Sequence, residues 1–158
     1  MPHRTFLKAS WLLAGVIALF FTGCQGGYDL GGISINLDHF TAPSEASSTM
    51  TLRYTNENTI PIALSGSAHK VYLNGTYIGK AVSKQPLGLA PLSTITQDAT
   101  VNFENLAFVK QLVATSDQKS ANYRVESVLY ITSGEENLTI KTNGTGSVDL
   151  RALSSTKP

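Results

Sequence analysis

Residues 52–62 read Leu-Arg-Tyr-Thr-Asn-Glu-Asn-Thr-Ile-Pro-Ile and indicate a strand, a turn and the start of a second strand. Apolar and polar residues alternate through Tyr54, the period of two that puts one side of a strand in a core and the other in water. Asn56 and Asn58 favour a turn, because their side chains cap nearby backbone groups and tolerate left-handed conformations. Pro61 lacks a backbone donor, which places it at a sheet edge or at the start of a strand.

The same alternation recurs along most of the chain. Asn74-Gly75 predicts a two-residue hairpin turn, because this pair most easily takes positive φ at both central positions. Ser65-Gly66-Ser67 interrupts its run in the manner of a bulge. The predicted strands cover 33–37, 50–54, 60–64, 71–73, 77–78, 95–103 and 123–131, and residues 138–142 and 147–150 give the last one or two.

The segment from Glu104 to Ala114 departs from this period of two and predicts a helix. Its apolar residues recur at helical spacing, and Asn102 could cap it. Short strands with frequent turn signals and one short helix predict a mainly β fold, an antiparallel β-sandwich of the immunoglobulin or fibronectin-III type with about seven strands. The predicted domain covers residues 33–152, and residues 153–158 are expected to form a disordered tail.

The first 23 residues predict a signal peptide. Arg4 and Lys8 precede the apolar run Trp11–Phe21, which is too short to span the roughly 30 Å hydrocarbon core of a membrane. The sequence Phe21-Thr22-Gly23-Cys24 resembles a bacterial lipobox, with Phe21 where leucine is usual. Cys24 is therefore the predicted lipidation site, and residues 24–32 the flexible tether that follows it.

The predicted lipidation of Cys24 implies a membrane partner and a location in the cell envelope. More than one acyl chain, such as palmitate, would anchor Cys24 durably, since each buried methylene contributes about 0.8 kcal/mol. Gln25 stands where an aspartate would suggest retention in the inner membrane. We therefore expect a lipid-anchored envelope protein on the outer membrane, facing the periplasm.

Composition excludes several functions. The chain has 12 Lys and Arg against 11 Asp and Glu without a basic cluster, which argues against nucleic acid as a partner. A single cysteine excludes an internal disulfide and a thiolate-rich metal site, and no cofactor or metal is expected. His39 and His69 are both expected at the surface, and nucleophile motifs are missing from the sequence, so we predict that the protein is not an enzyme.

The motif at residues 52–62, followed by a strand pair closing on residues 73–79 (Leu-Asn-Gly-Thr-Tyr-Ile-Gly), resembles the late embryogenesis abundant type 2 family, also called the water stress and hypersensitive response domain. The resemblance covers residues 33–150 and includes the ending Gly-Thr-Gly-Ser-Val-Asp-Leu at 144–150. Glu57 stands where the family often has proline. The resemblance implies a β-sandwich with one helix, an association with desiccation or other stress, and an envelope role in bacteria; it implies no enzymatic activity.

Three functions remain open. The first is a stress-protective or scaffold lipoprotein whose domain contacts another envelope protein, for which Asn56, Asn58, Pro61, Asn74 and Gly75 would serve the fold and not a ligand. The alternative is a carrier of an acyl chain or another apolar ligand, with the predicted helix as a lid. The third is an enzyme with polar groups converging on His39 or His69.

Overall fold

The computed structural model describes residues 32–41, 43–116, 119–133 and 136–154. The predicted signal peptide, Cys24 and the tether up to residue 31 lie outside these residues. The elements are β1 (Ile33–Thr41), β2 (Ser47–Asn56), β3 (Ile62–Leu73), β4 (Thr76–Ser83), β5 (Leu87–Leu89), β6 (Ser93–Phe103), α1 (Leu106–Thr115), β7 (Ser120–Ser133), β8 (Glu136–Asp149) and α2 (Arg151–Ser154).

All eight strands belong to one antiparallel sheet in the order β1-β2-β6-β4-β3-β7-β8, with the short β5 pairing with β3. The sheet curls until β8 lies against β1, where Thr142 Oγ1 donates a hydrogen bond to the Ile33 carbonyl at 2.9 Å. Gly144 allows this approach, because a Cβ there would lie 1.7 Å from the Ile35 carbonyl oxygen. The sheet is thus nearly closed into a barrel.

The prediction of a mainly β, antiparallel fold with a short helix is confirmed. Two separate sheets are not confirmed, because the strands form one continuous sheet whose outer strands meet. The eighth strand is β5, in a stretch whose prolines and glycine predicted a loop. Contacts between the first and last strands are long-range, so alternation within each strand does not specify them.

Alternation places the core as predicted in most strands. Ile35, Leu52 and Tyr54 are fully buried, and neighbouring polar residues point outward. The register of β1 on β2 shifts between Leu37 and His39, which turns the next residue, Phe40, into the core. Ile60 is a correction, because it precedes β3 and is 48% exposed instead of facing the core.

The helix begins later than predicted. Asn105 is the N-cap of α1, and its side chain accepts a hydrogen bond from the Phe108 backbone N–H. Asn102 instead belongs to β6, so it does not cap the helix. Beyond residue 152, where the predicted domain ends, Leu153 is buried within α2, so the expected tail does not begin at 153; residues 155–158 lie outside the described residues.

The two ends of the curled sheet differ in what covers them. At one end, here called the helix end, lie α1, α2, the β1–β2 connection at 43–46 and the Asn74-Gly75 turn. At the opposite end, here called the tether end, lie Gly32 and the connections at 57–61 and 90–92. The strand registers fix this assignment, since Ile33 pairs with Asn56 and Asn56 pairs with Ser93.

Candidate functional site

Asn56 and Asn58 form a hydrogen-bonded cluster at the tether end, here called the asparagine clasp. Asn56 is fully buried, and its Nδ2 donates to the carbonyls of Ile60 at 2.9 Å, Ala90 at 3.0 Å and Leu89 at 3.4 Å. Its Oδ1 accepts from the backbone N–H of Asn58 at 3.0 Å and from Asn58 Nδ2 at 2.9 Å. One amide therefore joins the β2–β3 connection to the segment before β6.

The clasp also holds the start of the domain. Asn58 Nδ2 lies 3.4 Å from the Gly32 carbonyl, which accepts a 2.7 Å hydrogen bond from the Glu57 backbone N–H. Pro61 stands directly before β3, where its missing N–H costs no ladder bond. The residues of the β2–β3 connection thus bond to the backbone of Gly32, and the chain enters β1 beside this connection, at the tether end.

Asn74 and Gly75 form the two-residue connection between β3 and β4. Their φ angles are 47° and 81°, the positive values that this hairpin turn requires. Asn74 Oδ1 also accepts from the Asn122 backbone N–H at 2.9 Å, which joins the turn to β7. The predicted lipidation residue, Cys24, lies outside the described residues, so the structure assigns it no contact.

His69 is in the core, which corrects the expectation that it lies at the surface. It is 1% exposed, and its Nδ1 lies 2.8 Å from Ser127 Oγ. Its Nε2 lies 2.8 Å from Ser67 Oγ and 3.1 Å from Tyr54 OH. The sequence held a signal for this position, because residue 69 shares its parity with the apolar residues 71 and 73 of the same strand.

This polar cluster of His69, Tyr54, Ser67 and Ser127 is neutral at physiological pH. Burial lowers the pKa of His69 to about 4, because desolvation disfavours the imidazolium. Burial also raises the pKa of Tyr54, and its hydrogen bond with Ser67 opposes that change. The partners of the imidazole are hydroxyl groups, unlike the carboxylate that orients the histidine of a catalytic triad.

His39 lies on the outside of the sheet, as expected. It is exposed at the β1 bulge, and its Nε2 lies 3.4 Å from Thr51 Oγ1. The two histidines therefore lie on opposite faces of the sheet, with His69 in the core and His39 exposed to water. They do not share a site.

The outer face of β4, β3, β7 and β8 carries a groove of about 460 Å³, here called the outer groove. Its floor includes Ala68, Val82 and Val128, and Val82 is 56% exposed. Three lysines line the groove beside these apolar residues, since the strand register pairs Lys70 with Lys80 and Val128 with Lys141. The acid in this groove is Glu126, which is paired with Arg124 at 2.6 Å.

A second groove, of about 490 Å³, lies beside α1 at the helix end and is here called the helix groove. Leu106, Val109 and Val113, the apolar stripe of the helix, form one wall, and Phe103 and Leu153 contribute from neighbouring elements. Its volume falls within the roughly 300–1,000 Å³ of small-molecule sites. Within the described ranges, groups of three or more potential metal-ligating side chains are not found. The described helices are also too short or too polar to cross a membrane.

Comparison with known proteins gives a family and a fold. The family model LEA_2, described as late embryogenesis abundant protein, matches residues 51–149. A crystal structure of a protein from Archaeoglobus fulgidus is similar at 14% identity and a TM-score of 0.50, over 75% of this chain and 97% of that one. A solution structure of an Arabidopsis thaliana protein is similar at 16% identity and a TM-score of 0.51, over 75% of this chain and 79% of that one. No curated protein sequence matches this chain.

Proposed function

Because the chain belongs to the late embryogenesis abundant protein family, with a match over residues 51–149, we propose that it is a lipid-anchored scaffold or stress-protective protein of the bacterial envelope. Acylated Cys24 would hold it on the outer membrane, with the domain in the periplasm. The domain would act by binding another envelope protein and not by catalysis. The lipobox-like sequence supports the address, and the outer groove supports the binding role.

The outer groove is the observation that carries the proposal. Three lysines surround Ala68, Val82 and Val128, so the groove offers apolar contact at its centre and positive charge at its rim. Lys80 lies 4.0 Å from Glu104, but both side chains are at least half exposed and water screens the pair. A partner segment with apolar side chains flanked by carboxylates would fit this surface, because the rim charges then steer its approach and orientation.

The state of the two histidines supports a role without catalysis. His69 is neutral and held among hydroxyl groups in the core, where a substrate would have to displace the packing around it. His39 is exposed on the other face of the sheet. General acid–base chemistry needs a titratable group within hydrogen-bond reach of a substrate. His69 borders the outer groove, but it is 1% exposed and its ring nitrogens are bonded to hydroxyl groups in the core.

Photo-crosslinking in intact cells tests the scaffold. A crosslinking amino acid at Val82, in the outer groove, is expected to capture a protein that the same group at Thr100, on the outside of β6, does not capture. Lys70→Glu with Lys141→Glu should reduce that product at least tenfold, whereas Lys110→Glu on α1 should not. Equal products at both positions, together with unchanged survival of a deletion strain on drying and osmotic shock, would contradict the proposal.

The anchor has its own test. Mass spectrometry of the protein extracted from its own membranes is expected to show an acylated chain that starts at Cys24, and the Cys24→Ala variant should lack that modification. An unmodified and uncleaved chain in the wild type would refute the anchor, independently of any partner.

The helix groove favours the second candidate function, a carrier for an acyl chain or another apolar ligand. Its wall is the apolar stripe of α1, and its volume of about 490 Å³ suits a small ligand. Val113→Trp should fill the groove and lower the binding of a fluorescent fatty acid at least tenfold. Gln111→Trp, on the exposed face of the same helix, is the matched control. If the wild-type protein fails to bind the fatty acid, or both variants bind equally well, the carrier function is excluded.

A further inference from the structure

Large apolar side chains are exposed together at the tether end. Leu92 is 70% exposed, Ile60 is 48% exposed and Ile95 is 40% exposed. Leu92 and Ile60 lie in the two connections that the asparagine clasp joins, since Asn56 Nδ2 donates to the carbonyls of both Ile60 and Ala90. These two residues are here called the apolar tip. Exposed apolar residues that cluster, unlike scattered ones, mark surfaces that meet an apolar partner.

The backbone at Leu92 is a second, independent observation. Its φ is 49°, a left-handed conformation that asparagine and glycine adopt more readily than leucine. The conformation is fixed, because the Leu92 N–H donates to the Asn58 carbonyl at 3.0 Å and Ser93 Oγ donates to the Ala90 carbonyl at 2.7 Å. Leu92 thus combines an unfavourable backbone conformation with a side chain that is 70% exposed, which points to a role outside the domain.

The third observation is where the chain enters the domain. The Gly32 carbonyl is bound by the Glu57 backbone N–H, so residue 32 lies beside the connection that carries Ile60. Cys24 precedes Gly32 by eight residues in the sequence. Eight residues span at most about 29 Å when extended and about 15 Å as a flexible coil. An anchor at Cys24 therefore keeps the tether end close to the bilayer, and the helix end away from it.

Charge around the apolar tip is low. In the connections 57–61 and 90–92, which carry Ile60 and Leu92, Glu57 is the one charged residue. Glu136 also belongs to this end by its pairing with Ser133, but it lies six residues before Thr142, the residue of β8 that meets Ile33. Contact by one corner of the end thus buries apolar side chains without carrying a strong charge into the headgroups.

We propose that Ile60 and Leu92 insert into the headgroup region of the membrane that holds acylated Cys24. The contact rests on the proposed lipid anchor and adds an orientation to it: the tether end faces the bilayer and the outer groove faces sideways. The anchor makes the second contact intramolecular, so two partly exposed side chains suffice for it to form. The occupant of this surface is the lipid of the anchoring membrane.

The test uses the full chain, acylated in its host and reconstituted in vesicles of three parts phosphatidylethanolamine to one part phosphatidylglycerol. Cysteine is introduced by Leu92→Cys, Ile60→Cys or, as the control at the helix end, Lys110→Cys, and is labelled with an environment-sensitive fluorophore. Acylated Cys24 has no free thiol, so the label reports the introduced position. We expect lipids brominated near the headgroup to quench positions 60 and 92 at least threefold more than position 110.

Two outcomes overturn the proposal, and they differ in what else they overturn. Equal quenching at positions 92 and 110, with Cys24 unlabelled, would refute insertion and leave the anchor intact. Labelling of Cys24 in the otherwise unchanged chain would refute the anchor, and with it the insertion that depends on the anchor.

A second set of variants tests whether the fluorophore itself inserts into the membrane, by placing it beside Ile60 and Leu92 and not at them. With the probe at Thr59→Cys, the pair Ile60→Ser and Leu92→Asn should lower quenching at least threefold. Val82→Asn, which removes from the outer groove an apolar side chain whose exposure lies between those of Ile60 and Leu92, should leave quenching at position 59 unchanged. Quenching at 59 that is insensitive to the Ile60 and Leu92 changes would also overturn the proposal.

Discussion

The helix end and the tether end close the same core by different means. At the helix end, Val109, Leu150 and Leu153 pack into the opening, and each is less than a tenth exposed. At the tether end the fully buried Asn56 occupies the equivalent place, and its amide group is bonded to the carbonyls of two connections.

The difference predicts how each end responds to change. Apolar packing is spread over many weak contacts, so losing one side chain costs an amount that scales with the volume removed. A buried amide satisfies specific donors and acceptors, so removing it leaves several buried groups without partners at once. The tether end can therefore display Ile60 and Leu92 to the outside, because the hydrogen bonds of Asn56 hold its connections in addition to the apolar core below them.

The largest effect is expected for Asn56→Leu. The substitution preserves approximate size but removes the donor for the Ile60, Leu89 and Ala90 carbonyls and the acceptor for Asn58. We expect the free energy of unfolding to fall by about 4 kcal/mol, since each buried group left unpaired costs about 1–3 kcal/mol. Urea denaturation measures it.

Asn58→Ala is the matched control for the clasp, because Asn58 is only partly buried and its side chain makes two bonds of which one is long. We expect a loss of about 1 kcal/mol. If Asn56→Leu cost no more than Asn58→Ala, the tether end would be closed by apolar contact, as the helix end is.

The pH dependence of stability tests the polar cluster that lies between the two ends. The pKa of His69 is about 4 in the folded protein and 6.5 in its ordinary range. The unfolded chain therefore binds more protons than the folded one between these values, and stability falls as pH falls from about 6.5 to 4. This difference in pKa corresponds to about 3 kcal/mol, and urea denaturation at a series of pH values measures it.

His69→Gln should flatten that part of the pH profile, because the amide retains hydrogen bonds with the hydroxyl groups and does not titrate. His39→Gln, at an exposed position, should leave the wild-type slope unchanged. If His39→Gln flattened the pH dependence of stability and His69→Gln did not, the responsible proton would bind at the surface and not in the core.

At the helix end, Val109→Ala should lower the free energy of unfolding by about 2 kcal/mol, from lost burial and the cavity left behind. Val109 is 4% exposed and faces the core from α1. Hydrogen exchange should show faster opening of α1 while the β2–β3 connection keeps its protection. The comparison of the two ends fails if opening spreads equally to both.

Local pattern predicts much of this molecule and stops where contacts become long-range. The alternation at Leu52 and Tyr54 predicts a buried face because it depends on strand geometry alone. The surface expectation for His69 is wrong because it rests on residue type, whereas the shared parity with the buried Val71 and Leu73 predicts a core position.

Closure of the sheet and the two grooves could not be predicted in this way. The approach of Gly144 to Ile35 joins residues more than a hundred positions apart, and the outer groove exists only once four strands align. The exposure of Ile60 has the same origin, since its carbonyl is held by an amide that also binds Ala90. Alternation carries no information on such pairings.

The smallest effect is expected at Leu92, and its sign is opposite to that of the others. Asparagine tolerates φ of 49° better than leucine, so Leu92→Asn should raise the free energy of unfolding by about 1 kcal/mol. Lys119, at the helix end, has a φ of 51°, and Lys119→Asn is the matched control. It should also gain stability, less whatever is lost with the hydrogen bond from Lys119 Nζ to the Val113 carbonyl.

The two variants should differ in the vesicle assay, where Leu92→Asn loses membrane contact and Lys119→Asn retains it. A protein that is more stable without Leu92 but less well seated on its membrane would show that the tether end keeps this leucine for contact at the expense of folding. If Leu92→Asn instead destabilised the domain, leucine would be serving the fold, and the tether end would have lost its distinction from the helix end.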